Sequence, residues 1–293
     1  MSTTAQSYLV GLIGDGVLPS LTPPMHEHEA DAHGLRYLYR PLDLAMMGRR
    51  PEQVGDILHE AVGLGYNAFN ITFPCKQLAI AHLDEIAEDA QRLEAVNTVL
   101  VQDGRLIGHN TDRSGFASGL ATGLPGADLT RVVLMGSGGA GSAVAYAILE
   151  AGAERLDILD LDADRATERA NHLAEYFPGA RVHGGGIDEL PARLARATGL
   201  VNATPVGMHH HPGIPVDAAL LDARLWVGDI VYRPVRTPLI LAAEAAGCRV
   251  LDGGNMAVGQ AVDAFGLITG VTADRVRMRA HFLALVDAES AAH

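Results

Sequence analysis

The run Val132-Val133-Leu134-Met135-Gly136-Ser137-Gly138-Gly139-Ala140-Gly141-Ser142-Ala143 constrains this chain more than any other segment. An apolar strand that ends in G-x-G-x-x-G and passes directly into an Ala-rich helix predicts a turn whose backbone approaches a pyrophosphate. Gly136 permits the tight bend, Gly138 lets the backbone come near the phosphates, and Gly141 allows close packing of helix on strand. Amides of the first helical residues, Gly139 and Ala140, then face the phosphate charge. The next strand-like run, Leu156 to Leu159, ends at Asp160. A carboxylate there accepts from both ribose hydroxyls of NAD and repels the 2′-phosphate of NADP, so NAD is the expected cofactor. Asp162 is expected to cap the following helix, with Asp160 as the alternative cap. Arg165 complicates the turn, because a guanidinium there can stack on adenine or meet a 2′-phosphate.

Strand-like runs alternate with helical segments along the whole chain, which predicts an α/β fold with largely parallel sheets. Strands are expected at Tyr8 to Ile13, Arg36 to Leu42, Asn67 to Ile71, Arg131 to Met135, Leu156 to Leu159, Gly199 to Ala203 and Trp226 to Ile230. Helices are expected at Pro24 to Ala32 and at Pro51 to Leu64, the second with Pro in its first turn. A length of 293 residues exceeds one ordinary core, so two domains are expected. The stretch Met256 to Leu285 is helical without companion strands and should return to the N-terminal domain. The expected division is a discontinuous catalytic domain, 1–116 plus 254–293, around a dinucleotide-binding domain at 117–253, with the active site in the cleft between them.

A formal charge of −13 argues against nucleic acid and anionic membrane as partners. Cys75 and Cys248 are too few for a disulfide framework, no apolar run reaches the roughly 20 residues that span a bilayer, and Met1 to Ser7 has no basic leader. A cytoplasmic protein is expected.

Lys76 is the one lysine among 22 basic residues. Arginine stays protonated throughout the physiological range, whereas a half-buried amine can exchange a proton, so a chain that retains a single amine marks it as a catalytic candidate. The competing explanation is a codon bias that left one lysine on a solvated face.

Lys76 stands in Asn70-Ile71-Thr72-Phe73-Pro74-Cys75-Lys76, preceded by Gly11-Leu12-Ile13-Gly14 and Ser20-Leu21-Thr22-Pro23 and followed by Glu94-Ala95-Val96-Asn97-Thr98-Val99 and Gly108-His109-Asn110-Thr111-Asp112. Together with Asn202-Ala203-Thr204-Pro205-Val206-Gly207-Met208, Asp229-Ile230-Val231-Tyr232-Arg233-Pro234 and Gly259-Gln260-Ala261, these strings resemble the shikimate dehydrogenase family over essentially the whole chain. Thr22, where the shikimate-specific branch has a second serine, and the Asp160 to Arg165 turn, where NADP-using members have a basic patch, resemble its NAD-dependent quinate/shikimate branch.

The resemblance implies a catalytic pair, Lys76 and Asp112. It places Ser20 and Thr22 on a substrate carboxylate, with Thr72, Asn97, Gln260 and Tyr232 around ring hydroxyls. The implied reaction is reversible oxidation of the C3 hydroxyl of quinate or shikimate by a monomer or homodimer. An NADP-linked biosynthetic shikimate dehydrogenase, a relative acting on an amino-substituted quinate, and a non-catalytic sensor of NAD and quinate are the rivals. Read alone, Ser20 and Thr22 are also helix caps and Asn97 a turn stabiliser. No metal is expected: His209-His210-His211 lies between Pro and Gly without other ligands. His26 and His28 read as solvated helix residues, Cys75 as a packing or cleft-lining thiol, and Met46 and Met47 as core.

Overall fold

The computed structural model describes residues 7–291; residues 1–6, which include most of the stretch read above for a leader, and 292–293 lie outside the described residues. The chain forms two compact units, Met1–Thr111 with Gln260–His293, and Asp112–Gly259.

The first unit runs β1 (Ser7–Gly14), α1 (Thr22–Ala32), β2 (Arg36–Asp43), α2 (Leu44–Met47), α3 (Val54–Gly63), β3 (Ala68–Ile71), β4 (Glu85–Ile86), α4 (Glu88–Leu93), β5 (Thr98–Gln102) and β6 (Arg105–His109). Its sheet has the order β2-β1-β3-β5-β6-β4. Strand β1 is parallel to β2 and β3, whereas β5 is antiparallel to both β3 and β6, so the sheet is mixed where a largely parallel one was expected. The source of the difference is a hairpin that turns at Asp103 and Gly104, both at positive φ (51° and 75°). Asp-Gly between alternating apolar residues is a strong hairpin signal. Every residue of β3 is buried, as a central strand requires, while edge strand β2 alternates, with Tyr37 and Tyr39 inside and Arg36, Leu38 and Arg40 exposed. Ile13, Ile57, Leu58, Phe69, Ile71, Val96 and Val99 share one core with Cys75, which is a packing thiol.

Three expectations on α1 and α2 need correction. His26 is fully buried, ringed by Tyr37, Tyr39 and Phe265, with Nδ1 2.9 Å from the Tyr37 hydroxyl. Burial lowers its pKa to about 3 against the upward pull of Glu29, so the ring is neutral at physiological pH. His28 is exposed as expected and stacks on His281, their centroids 4.0 Å apart. Met46 and Met47 are not core: they are 74% and 39% exposed, because α2 is a single turn, capped by the Asp43 side chain, that buries only Leu44.

The helices α10 (Gly254–Thr269) and α11 (Arg275–Ala291) complete the chain. The long C-terminal helix expected from sequence is therefore broken between Gly270 and Asp274. A buried carboxylate ties α11 to α1: Glu29 accepts from Arg277 Nε at 2.8 Å and Nη2 at 2.7 Å, and from the Asp274 amide at 2.7 Å, with His33 Nε2 2.9 Å away. Burial pushes the Glu29 carboxyl up, but these donors outweigh it and its pKa is lowered from the ordinary 4.5. The clamp thus stabilises the unit fully above 4.5 and loses its contribution as acid protonates Glu29. Arg277→Leu should lower the melting temperature at neutral pH, and the gap to wild type should close as the pH is taken well below 4.5. Thermal unfolding followed across that range checks it; a gap independent of pH would show that Glu29 ionisation is not involved.

The second unit begins in α5 (Thr111–Gly123) and continues β7 (Val132–Met135), α6 (Gly139–Glu150), β8 (Arg155–Asp160), α7 (Ala163–Tyr176), β9 (Arg181–Gly186), α8 (Leu190–Leu194), β10 (Gly199–Asn202), β11 (Trp226–Asp229), α9 (Pro238–Ala245) and β12 (Arg249–Leu251). All its strand pairs are parallel, in the order β12-β11-β10-β7-β8-β9. This is the doubly wound dinucleotide-binding arrangement, and the order reverses between β7 and β10, where such sheets bind ligands. Strands β7, β10 and β11 are buried throughout, the sign of a sheet covered on both faces. Strands β9 and β12 were missed from sequence: β9 carries three consecutive glycines and β12 spans only Arg249–Leu251.

Candidate functional site

The candidate residues divide between the two units. Ser20, Thr22, Thr72, Lys76, Asn97 and Gln260 belong to the first; Asp112, Tyr232, the glycine turn, Asp160 and Arg165 belong to the second.

In the first unit, strand direction brings distant segments to one sheet edge. The C-terminal ends of β1 and β3 lie there because those strands are parallel. The start of β5 and the end of β6 lie there because β5 is antiparallel to both neighbours. Hence the Ser20 loop, the Thr72 to Lys76 segment, Asn97 and Asn110 all leave the sheet at the same edge. The Thr72 to Lys76 segment is fixed by its backbone: Thr72 N donates to Ile13 O (2.9 Å), Asp15 N to Phe73 O (3.0 Å) and Val96 N to Lys76 O (3.0 Å). Thr72 also packs its methyl against Gly14, where a Cβ would lie 2.4 Å away. Lys76 is half-buried.

Ser20 and Thr22 do not cap α1: the helix starts at Thr22 with no side-chain cap, and Ser20 Oγ accepts from the Thr22 amide at 3.3 Å. Asn97 is 3% exposed and holds Thr111, donating to its hydroxyl (2.9 Å) and accepting from its amide (2.8 Å). Behind it, the Tyr39 hydroxyl donates to Asn70 Oδ1 (2.5 Å), and Asn70 Nδ2 donates to the Thr98 hydroxyl (2.9 Å) and to Asn97 O (3.2 Å). Tyr39 and Asn70 thus support the Asn97 backbone and its neighbour Thr98 from behind, and the Asn at the head of the Lys76 motif is the one sequence signal for either. Gln260 is half-buried on α10, Tyr232 is half-buried after β11, and Asp112 is buried in the first turn of α5.

In the second unit the glycine turn has the geometry its sequence predicts. Gly136 sits at φ 99°, closed to other residues, and a Cβ on it would meet Ala203 O at 2.8 Å. A Cβ on Gly141 would lie 2.1 Å from Gly136 O. Gly138, the N-cap of α6, faces open space: nothing lies within 4 Å of a Cβ built on it. No acidic residue stands in the first turn of α6. An open cradle over bare helix amides fits a pyrophosphate, so Gly138, Gly139 and Ala140 are the residues that would hold one.

At the end of β8, Asp162 caps α7 through the Arg165 amide (3.0 Å), which leaves Asp160 free of that task. Asp160 Oδ2 accepts from the Ser137 amide (2.7 Å) and hydroxyl (2.8 Å), and Oδ1 from the Asp162 amide (3.1 Å) and Arg165 Nη2 (2.8 Å). Burial raises the Asp160 pKa, and Arg165 with the Ser137 and Asp162 donors overrides it, leaving the value at about 2. The loop after β10 is braced from below: Asn202 Nδ2 donates to Val206 O (3.1 Å) and to Asp229 Oδ1 (3.0 Å), and the Thr237 hydroxyl donates to Asp229 Oδ2 (2.7 Å). His209, His210 and His211 are exposed in that loop, and no cluster of metal-ligating side chains exists among the described residues.

A family model described as the shikimate dehydrogenase substrate binding domain matches residues 12–99. Over 292 residues, covering 100% of each chain to the nearest percent, the sequence is 60% identical to a shikimate dehydrogenase (NADP(+)) of Pseudarthrobacter chlorophenolicus. This chain belongs to the shikimate dehydrogenase family. It is also 47% identical to a quinate/shikimate dehydrogenase (NAD(+)) of Corynebacterium efficiens, covering 95% of this chain and 99% of that one. The structure of quinate dehydrogenase from Corynebacterium glutamicum in complex with NAD superposes with a TM-score of 0.88 at 45% identity, covering 95% of this chain and 99% of that one. Membership makes the chain an oxidoreductase of this family that uses a nicotinamide dinucleotide.

The glycine turn carries a direct test. In Gly141→Ala the new methyl meets a backbone carbonyl at 2.1 Å, so α6 must move off the sheet. Titration with NAD and with NADP should show loss of both, while Gly138→Ala, which meets no protein atom, should fold normally and weaken dinucleotide binding alone. Normal binding by Gly141→Ala would remove the close approach from the argument.

Proposed function

We propose that this oxidoreductase carries out the NAD-linked, reversible oxidation of the C3 hydroxyl of quinate or shikimate to 3-dehydroquinate or 3-dehydroshikimate. The observation that carries the cofactor assignment is Asp160 at the end of β8, ionised and held against Ser137. A fixed carboxylate there accepts from ribose hydroxyls and opposes a 2′-phosphate by like charge. The 60% identical relative named for NADP favours a second reading, an NADP-linked shikimate dehydrogenase. Identity summed over a whole chain gives one position little weight, whereas cofactor choice turns on a few groups around the ribose, so we favour NAD.

NAD, when bound, supplies the acceptor for the hydride that leaves C3. The chain supplies the rest. Lys76 and Asp112 form the pair that takes up the hydroxyl proton as the hydride departs and returns it in the reverse direction. A lysine suits this position because its amine exchanges a proton that a guanidinium keeps. Ser20 and Thr22 hold the substrate carboxylate through neutral donors, and Thr72, Asn97, Tyr232 and Gln260 face the ring hydroxyls. The Asn97 amide is already oriented by Thr111.

Lys76→Ala and Asp112→Ala should each lower kcat by roughly 10²- to 10⁴-fold, the contribution of a positioned acid/base group, while NAD binding changes little. Lys76→Arg, which keeps charge and loses proton exchange, should be nearly as damaging. Steady-state kinetics on folded variants decide the point, and near-normal turnover in either alanine variant would sink the pair. For the cofactor, the absorbance of reduced nicotinamide with quinate and shikimate should give a higher kcat/KM for NAD than for NADP in wild type, a preference that Asp160→Ala narrows. A wild type that prefers NADP would establish the second reading.

A further inference from the structure

An ionised carboxylate has about four lone-pair directions, and all four of Asp160 are taken. Oδ2 accepts the amide and hydroxyl of Ser137, and Oδ1 accepts the Asp162 amide and Arg165 Nη2. These four partners do not hold equally. Two of the four are backbone amides, and the Ser137 hydroxyl belongs to a residue only 3% exposed. Arg165, its side chain 54% exposed, is the partner that can leave.

What holds Arg165 in place is a second contact. Its Nε donates to Ser137 Oγ at 3.1 Å while that hydroxyl donates to Asp160 Oδ2 at 2.8 Å. One serine hydroxyl thus links the guanidinium and the carboxylate, and Arg165 grips the turn at two points instead of one. The same guanidinium stands in the first turn of α7, beside the ribose-facing acid, where a 2′-phosphate would seek a bidentate arginine.

We propose that the Ser137 hydroxyl is a determinant of cofactor selectivity: by anchoring Arg165 Nε it keeps the guanidinium on Asp160 and away from a 2′-phosphate. The inference rests on the reading of Asp160 as the ribose acceptor of NAD. Nothing in the G-x-G-x-x-G pattern assigns its second position a side-chain role, and here that position carries the hydroxyl on which the two charged groups meet.

The test is a cycle of Ser137→Ala and Arg165→Ala, reading kcat/KM for NAD and NADP together with calorimetric binding of ADP and of adenosine 2′,5′-bisphosphate. Ser137→Ala should raise the NADP-to-NAD ratio by roughly tenfold, the scale of one charge-assisted hydrogen bond. The shift should appear in KM for NADP and in tighter binding of the bisphosphate, with kcat little changed. In the Arg165→Ala background the same substitution should leave the ratio where it was. Ser137→Gly, which any turn conformation accepts, should repeat the result if the alanine variant folds poorly. A wild type that prefers NAD but whose ratio does not move in Ser137→Ala overturns the role of Ser137 and leaves Asp160 standing. A shift that persists undiminished without Arg165 overturns it as well. A wild type that already prefers NADP overturns both this inference and the NAD assignment.

Discussion

The second unit is built around a contact that exists only because a side chain is missing. At Gly141 a Cβ would lie 2.1 Å from the carbonyl of Gly136, and at Gly136 one would lie 2.8 Å from the carbonyl of Ala203. Three pieces of chain, the end of β7, the start of α6 and the loop after β10, come together at backbone distance there. That convergence falls where the strand order reverses, between β7 and β10. Packing and binding are therefore one constraint: the approach that seats α6 on the sheet also leaves its first amides bare at Gly138, over open space. Bracing beneath the loop comes from Asn202, Asp229 and Thr237, so the cradle stands on buried hydrogen bonds.

The first unit achieves rigidity by other means. Its candidate residues leave one edge of a mixed sheet, and a chain of buried polar groups from Tyr39 through Asn70 to Thr98, Asn97 and Thr111 fixes that edge. Buried polar groups are costly unless satisfied, and a satisfied network holds its members in one arrangement. A ligand hydroxyl reaching Asn97 would meet an amide whose orientation is already set, which is the support a binding site needs. The turn-stabilising role of Asn97 and a binding role are thus compatible.

Two carboxylates of the second unit show how environment divides identical chemistry. Asp160 is held near pKa 2 because Arg165 and the Ser137 and Asp162 donors outweigh its burial. Asp229 is pushed up to about 6 because its burial outweighs the neutral donors Thr237, Val231 and Asn202. Their effects on stability run in opposite directions. The contribution of Asp160 is present above 3.8 and lost as the pH falls through about 2, while Asp229 favours the folded state in its protonated form and costs stability as the pH rises from 3.8 to about 6. Asp160 is thus ionised over a wider pH range than Asp229.

The glycine turn, the strand that ends at Asp160 and the cap at Asp162 were legible in the sequence because local chemistry dictates each: turn, strand end and helix start depend on neighbours a few residues away. The family was legible because its strings occur in order along the chain, and the Lys76 motif among them. Burial on α1 and α2 was not legible, since His26 is enclosed by Tyr37, Tyr39 and Phe265, residues of other elements, and Met46 is left outside by the shortness of α2. The β5–β6 hairpin has a local signal in Asp103-Gly104, but its antiparallel pairing against β3 was not legible, since it joins strands distant in the chain. The sequence by itself determined the family and the fold class, because both follow from the order of local motifs along the chain. Tertiary structure alone decided that Ser137 joins Asp160 to Arg165 and that Tyr39 reaches Asn70, because those contacts join residues far apart in the chain, and only the packed sheets bring them within hydrogen-bonding distance.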